Sequence, residues 1–168
     1  YLFGTLMLGG GIMLHAVETY ITATLMPSIV RDIGGLSLFA WATTIYVAAS
    51  VLGSTFVAVR PESVTLNRCY VVGAVLFGIG SLVCAIAPTM EAVLAGRAIQ
   101  GLGAGVLVAL GYAFIRFVYP EPLWSTASTL YAAAWGIATF LGPTIGGIFA
   151  AGSAWREAFA LLVPLSAI

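Results

Sequence analysis

Five long apolar runs follow one another through the chain, separated only by short breaks that carry its charges, prolines and glycines. This repetition fixes the solvent before it fixes anything else, because a helix that crosses a bilayer needs roughly 20 mainly apolar residues. The runs cover residues 2–30, 38–59, 69–87, 90–118 and 123–151, and a sixth begins near residue 158 and continues to 168. They are continuous rather than alternating, and lipid offers no partner for an open strand edge, so the spanning form is helical. Hydrophobic residues make up 61% of the chain, charged ones 7%, and the mean hydropathy is +1.10, values that belong to membrane proteins. The expected fold is all-α: a polytopic transmembrane helix bundle with five full spans and the start of a sixth.

The breaks are short: Arg31-Asp32-Ile33-Gly34-Gly35, Arg60 to Arg68, Ala87-Pro88-Thr89, Tyr119-Pro120-Glu121-Pro122 and Gly152-Ser153. Neighbouring helices are therefore antiparallel. Arg60, Arg68 and Arg116 fall on one side of the membrane against Arg31 and Arg156 on the other, which places the N-terminus in the cytoplasm by the positive-inside rule. The expected location is a plasma or inner membrane. The first run is too long for a cleaved signal peptide, and a chain that opens on Tyr1 and stops at Ile168 inside an apolar run reads as a piece of a longer protein.

Several classes of function find no support in these residues. A net charge of zero leaves no basic footprint for nucleic acid. Cys69 and Cys84 share one helix without His or Asp companions, so packing is expected of them rather than a disulfide or a metal site. Phosphate-binding loops and nucleophile elbows are missing as well, so neither an enzyme nor a cofactor is expected.

Chemistry is concentrated in two of the runs. Glu18 in the first and Arg97 in the fourth are fully charged types at membrane depth, with His15 a third titratable group; such residues mark functional sites because an unpaired buried charge is costly. Glu18 lies nine residues from Pro27, and Arg97 nine residues from Pro88 at the same membrane face, which sets both roughly 13 Å in from that end. His15, Glu18, Thr19 and Thr22 share one helix face through i+3 and i+4 spacing, and Gln100 and Gly101 share a face with Arg97. Burial favours the neutral carboxyl and a nearby guanidinium favours the carboxylate, so a site that alternates between the two surroundings loads and unloads a proton. A static ion pair that locks two helices is the other reading, and for His15 a hydrogen-bonded interior imidazole.

Small residues carry the remaining signal. Gly101-Leu102-Gly103-Ala104-Gly105 and Gly142-Pro143-Thr144-Ile145-Gly146-Gly147 are patterns that let helix backbones approach closely. The second either bends the fifth helix and closes the space beside it or simply packs.

These segments together resemble the major facilitator superfamily, and within it the drug:proton antiporters of the 14-span branch. Val17-Glu18-Thr19-Tyr20-Ile21-Thr22 through Ala23-Thr24-Leu25-Met26-Pro27 is similar to the family's first-helix pattern, with Glu18 in the place of its acid. Leu94-Ala95-Gly96-Arg97-Ala98-Ile99-Gln100-Gly101-Leu102-Gly103-Ala104 matches the motif whose arginine is associated with proton transfer. Gly142 to Gly147 resembles the antiporter signature, with Ala138 where its leading glycine would stand, and Ala154-Trp155-Arg156-Glu157-Ala158-Phe159 followed by Val163-Pro164 resembles the segment that opens the sixth span. The loop between the second and third spans departs from the family pattern: across the gate loop that ends at Arg68, only Glu62, in the Asp position, keeps the chemistry.

The resemblance implies the N-terminal six-helix half of a secondary transporter, partnered by a C-terminal half, the lipid bilayer, protons and a small-molecule substrate. Alternating access with proton antiport of small amphipathic or cationic compounds is then expected. Glu18, Arg97 and His15 would serve the proton, and Thr22, Tyr46, Gln100, Tyr131 and Trp135 would line the substrate cavity. Two other readings remain open. One is a facilitator or symporter of sugars or organic anions, in which Arg97 binds substrate; the other is a non-transporting helical membrane module.

Overall fold

Each apolar run forms a helix, and the ends are set by residues that cannot continue one or that satisfy its free backbone groups. The computed structural model describes residues 2–61 and 64–166, with side chains from residue 13 onward except those of 117 and 118. Among the described residues there are six α-helices: α1 (Leu2–Ile33), α2 (Phe39–Val59), α3 (Leu66–Ala85), α4 (Met90–Val118), α5 (Trp124–Ala151) and α6 (Trp155–Leu165). Single 3-10 turns, Leu36–Leu38 and Glu121–Leu123, lead into α2 and α5. Four of the described helical segments are long and apolar enough to cross a membrane: Leu36–Val59, Leu66–Ala85, Met90–Arg116 and Glu121–Ala151.

Gly34 and Gly35 end α1 in the left-handed region, at φ 74° and 81°, a conformation that costs glycine nothing and a residue with a Cβ a good deal. The N–H of Gly34 closes the last turn onto the Val30 carbonyl at 2.9 Å. Thr65 and Thr89 cap α3 and α4, their side-chain oxygens accepting from the Arg68 and Ala92 N–H groups. Caps of this kind explain why helix ends and apolar runs differ. α3 starts three residues before the apolar run at Cys69, and α6 starts at Trp155 rather than near residue 158.

α4 is the hub of the bundle. It packs along α2 on one side and α3 on the other, while α1 pairs with α5, and α6 rests on α3. Close approach is written into glycine. A Cβ on Gly101 or Gly105 would run into the Tyr46 or Ser50 carbonyl of α2, and one on Gly103 into the α3 backbone at Gly73 and Phe77. In α5, Gly142 and Gly146 meet Tyr20, Ile21 and Thr24 of α1, whereas nothing lies within 4 Å of a Cβ on Gly147. α5 is helical through Pro143, which is exposed. The helix pairs dock through these small residues because lipid gives no hydrophobic drive to helix association and packing has to supply it.

Cys84 is buried between α3 and α4, its thiol donating to the Val93 carbonyl at 3.6 Å, and Cys69 is buried near Val106 and Leu110. Both are free thiols. Large apolar side chains are turned outward along α2, α3 and α5: Leu52 is 66% exposed, Phe140 78% and Ile148 69%. That surface suits lipid or another helix layer and would not suit water. The chain is a multi-pass membrane bundle.

A clasp joins α1, α6 and the α3–α4 loop on the face that carries the α1–α2, α3–α4 and α5–α6 connections. Asp32 Oδ2 accepts from Arg156 Nη1 at 2.5 Å and from the Trp155 indole at 3.1 Å, and Arg156 Nη2 donates to the Ala87 carbonyl at 3.3 Å. Trp155 is itself 1% exposed, and the Arg156 guanidinium lies 4.1 Å from its ring centre.

Candidate functional site

The centre of the bundle holds a chain of polar side chains in otherwise apolar surroundings, with contributions from α1, α2, α3 and α4. Glu18 is 0% exposed and Arg97 1%. The equal depth inferred from the two prolines brings them together: Arg97 Nη1 donates to Glu18 Oε1. Thr22, one turn further along α1, donates to the same oxygen at 2.7 Å. Arg97 Nη1 also donates to Gln100 Oε1 at 2.6 Å, Gln100 Nε2 donates to Ser81 Oγ at 2.8 Å, and Ser81 donates to the Phe77 carbonyl. A buried carboxylate and guanidinium are tolerable only when paired and further hydrogen-bonded. Here the helical spacing of Glu18 with Thr22 and of Arg97 with Gln100 provides those bonds. Glu18 Oε2 and Arg97 Nε make no hydrogen bond among the described residues.

An aromatic layer closes over the pair. The Tyr46 ring of α2 lies flat on the Arg97 guanidinium, 3.8 Å from ring centre to Cζ, a cation–π contact that gains from the low dielectric. The Tyr46 hydroxyl sits 2.5 Å from His15 Nδ1, and the two rings stack with centroids 5.6 Å apart and 17° between planes. Trp135 of α5 presents its edge to His15 at 5.4 Å and to Tyr20 at 6.5 Å.

Glu18, Arg97, His15, Thr22, Gln100, Tyr46 and Trp135 thus form one cluster. Thr22, Tyr46 and Gln100 are buried at 1%, 1% and 0% exposure, with their polar atoms taken up by the ion pair and by His15. Tyr131, one turn before Trp135 on α5, belongs to an adjoining apolar group with Ile115 and Ala127, against which Trp135 also packs, and its ring is 5.9 Å from that of Tyr112. It stands beside a separate cleft of about 670 Å³ between α4 and α5, lined by Tyr112, Arg116, Trp124 and Ser128. Trp135 and His15 are only partly buried and form the accessible edge of the cluster.

Gly101 lets α4 reach the Tyr46 backbone, so the glycine motif also sets the distance at which the Tyr46 ring meets Arg97. Arg68 of the loop pair is exposed in the first turn of α3, and Glu62 lies outside the described residues. Ser81 is the member that sequence reasoning missed: a serine within an apolar run carries no signal by itself, and only its position across from Gln100 gives it a role.

Comparison with known proteins bears on the whole chain. The Major Facilitator Superfamily profile matches residues 8–168. The chain is 43% identical over all of its 168 residues to a Mycobacterium tuberculosis protein named "Probable multidrug-efflux transporter", covering 36% of that protein. It is 33% identical over 158 residues, 94% of its length, to multidrug resistance protein 3 of Bacillus subtilis, covering 31% of it. It is also 26% identical over 155 residues to the multidrug efflux pump SdrM of Staphylococcus aureus, covering 35%. The chain therefore spans about a third of the length of these curated relatives. A match over nearly every residue, on a helical bundle with a buried acid–arginine pair at its centre, decides the question of kinship: the chain belongs to the major facilitator superfamily.

Proposed function

We propose that these residues form the N-terminal half of a proton-coupled efflux transporter of the 14-span branch, which exports small amphipathic or cationic compounds by alternating access. The observation that carries the reading is the Glu18–Arg97 pair, buried at the bundle centre and tied to four further side chains. The relatives named for multidrug efflux support the direction and breadth of transport.

In this reading the carboxylate is held by Arg97 when empty, and a proton on Glu18 cancels the charge that Arg97 balances. The guanidinium is then left with Gln100 and Tyr46, and the α1–α4 contact weakens. Substrate and proton compete for the same rearrangement, which is what antiport requires. The C-terminal half supplies the opposite cavity wall, the lipid bilayer covers the outward apolar faces, and the N-terminus lies in the cytoplasm of a plasma or inner membrane. The rival in which Arg97 captures an anionic substrate draws no support from a guanidinium whose face is covered by Tyr46 and whose Nη1 is shared by Glu18 and Gln100.

Glu18→Gln in the whole protein tests the proposal. Glutamine still accepts from Arg97 but holds no exchangeable charge, so pH-gradient-driven efflux in proteoliposomes is expected to disappear while the protein folds and inserts. Undiminished gradient-driven efflux would refute the assignment.

A further inference from the structure

Glu18 poses a problem of access. It is 0% exposed, its Oε1 is occupied by Arg97 and Thr22, and only Oε2 is open to a proton. His15 is one turn away and partly exposed. Between them stands the Tyr46 hydroxyl, 2.5 Å from His15 Nδ1 and on the side of the cluster that Glu18 and Thr19 occupy.

We propose that Tyr46 is a proton relay that carries the coupled proton between His15 and Glu18, so that the buried acid is loaded through the imidazole. The proposal rests on the reading of Glu18 as the coupled acid. The Tyr46 ring is held by two contacts, one with His15 and one with the Arg97 guanidinium, so its oxygen stays in place and only its O–H turns. In the empty state His15 carries its proton on Nδ1 and donates to Tyr46, whose own O–H is free to turn toward Glu18 Oε2, the carboxylate oxygen that no other group holds among the described residues.

A proton from the accessible side binds Nε2. The Nδ1–H bond then breaks toward the Tyr46 oxygen as the Tyr46 O–H bond breaks toward Glu18 Oε2. His15 is left neutral with its proton on Nε2, Tyr46 remains a phenol, and Glu18 becomes a carboxylic acid. Charge balances, since the imidazolium and the carboxylate are both discharged. Unloading runs the same steps backwards, so the two tautomers of His15 correspond to the empty and loaded acid. The charged and titratable groups facing His15 are Glu18 from its own helix, Tyr46 from α2 and Arg97 from α4; α5 contributes the uncharged Trp135.

The experiment follows the carboxylic acid C=O stretch of the reconstituted whole protein by infrared spectroscopy after a pH jump, with the band assigned by its loss in Glu18→Gln. If no such band exists in the unaltered protein, the coupled-acid reading falls and the relay with it. With the band present, Tyr46→Phe keeps the ring on Arg97 and removes only the hydroxyl. The band is then expected to reach its full amplitude about a hundredfold more slowly. His15→Gln should slow it to the same degree, and the double variant no further, because both lie on one path. An unchanged rate in Tyr46→Phe, or in His15→Gln should the tyrosine variant not fold, overturns the relay while leaving Glu18 as the acid. A lost amplitude at normal speed overturns it too, since the hydroxyl would then hold the pair and not conduct to it.

Discussion

Tyr46 covers one face of the Arg97 guanidinium at 3.8 Å, and through the same ring it presents its hydroxyl to His15. The arginine is therefore held as a plane, with its edge directed at Glu18 and Gln100.

That geometry makes the plane matter. Arg97→Lys keeps the positive charge and one nitrogen donor, but offers no flat guanidinium for the Tyr46 ring to cover. Coupled transport by Arg97→Lys is expected to fall nearly as far as in Arg97→Ala, and transport assays on matched proteoliposomes decide it. Normal flux with lysine would mean that a positive field suffices.

Glycine positions in α4 and α5 should separate cleanly. Gly105→Val drives a side chain into the Ser50 carbonyl of α2, and overpacking of this kind costs about 1–3 kcal/mol; thermal unfolding in detergent should show it as a lowered midpoint. Gly147→Ala meets nothing within 4 Å and should leave the midpoint unchanged or slightly higher, since alanine favours helix by up to about 1 kcal/mol.

The Asp32 clasp has a defined pH range. Hydrogen bonds from Arg156 first, and then from Trp155, hold the Asp32 carboxyl below its ordinary value. A carboxyl lowered in the folded state contributes above its unfolded value and loses that contribution only as pH falls through the lower folded one. The difference in thermal midpoint between the unaltered protein and Asp32→Asn is thus expected to be flat from about pH 5 to pH 8 and to shrink only below about pH 4. A difference that already fades at neutral pH would show that Asp32 is not the anchor.

The polar chain behind Arg97 should be felt in stability. Ser81→Ala removes the oxygen that accepts from Gln100 Nε2, and a buried donor left alone costs about 1–3 kcal/mol. Ser81→Ala is expected to lower the unfolding midpoint while pH-gradient-driven efflux continues, because the bond from Arg97 to Glu18 does not pass through Ser81.

Much of this arrangement was legible in the order of residues. The six helices follow from apolar run lengths. The meeting of Glu18 with Arg97 follows from their equal distance from prolines on one membrane face, because helical rise turns residue counts into depth. What the order could not give was rotation. Whether Tyr46 faces outward to a cavity or inward to Arg97 depends on how α2 is turned about its axis, and that turn is set by Gly53, Gly101 and Gly105 meeting across the α2–α4 seam. Tyr131 shares the α5 face of Trp135 and differs from it by one turn of depth, which sets it beside Ile115 and Tyr112. The bond from Trp155 to Asp32 joins residues 123 positions apart, and nothing local to either signals the other.

The burial of both cysteines has a practical side. Cys69 is 2% exposed and Cys84 0%, so within these residues the surface is silent toward water-soluble maleimides. A single cysteine placed at an exposed position between helices such as Glu121 becomes a spectroscopic reporter of the bundle without first stripping these two thiols. Any labelling of Cys84 itself would register that α3 and α4 have come apart.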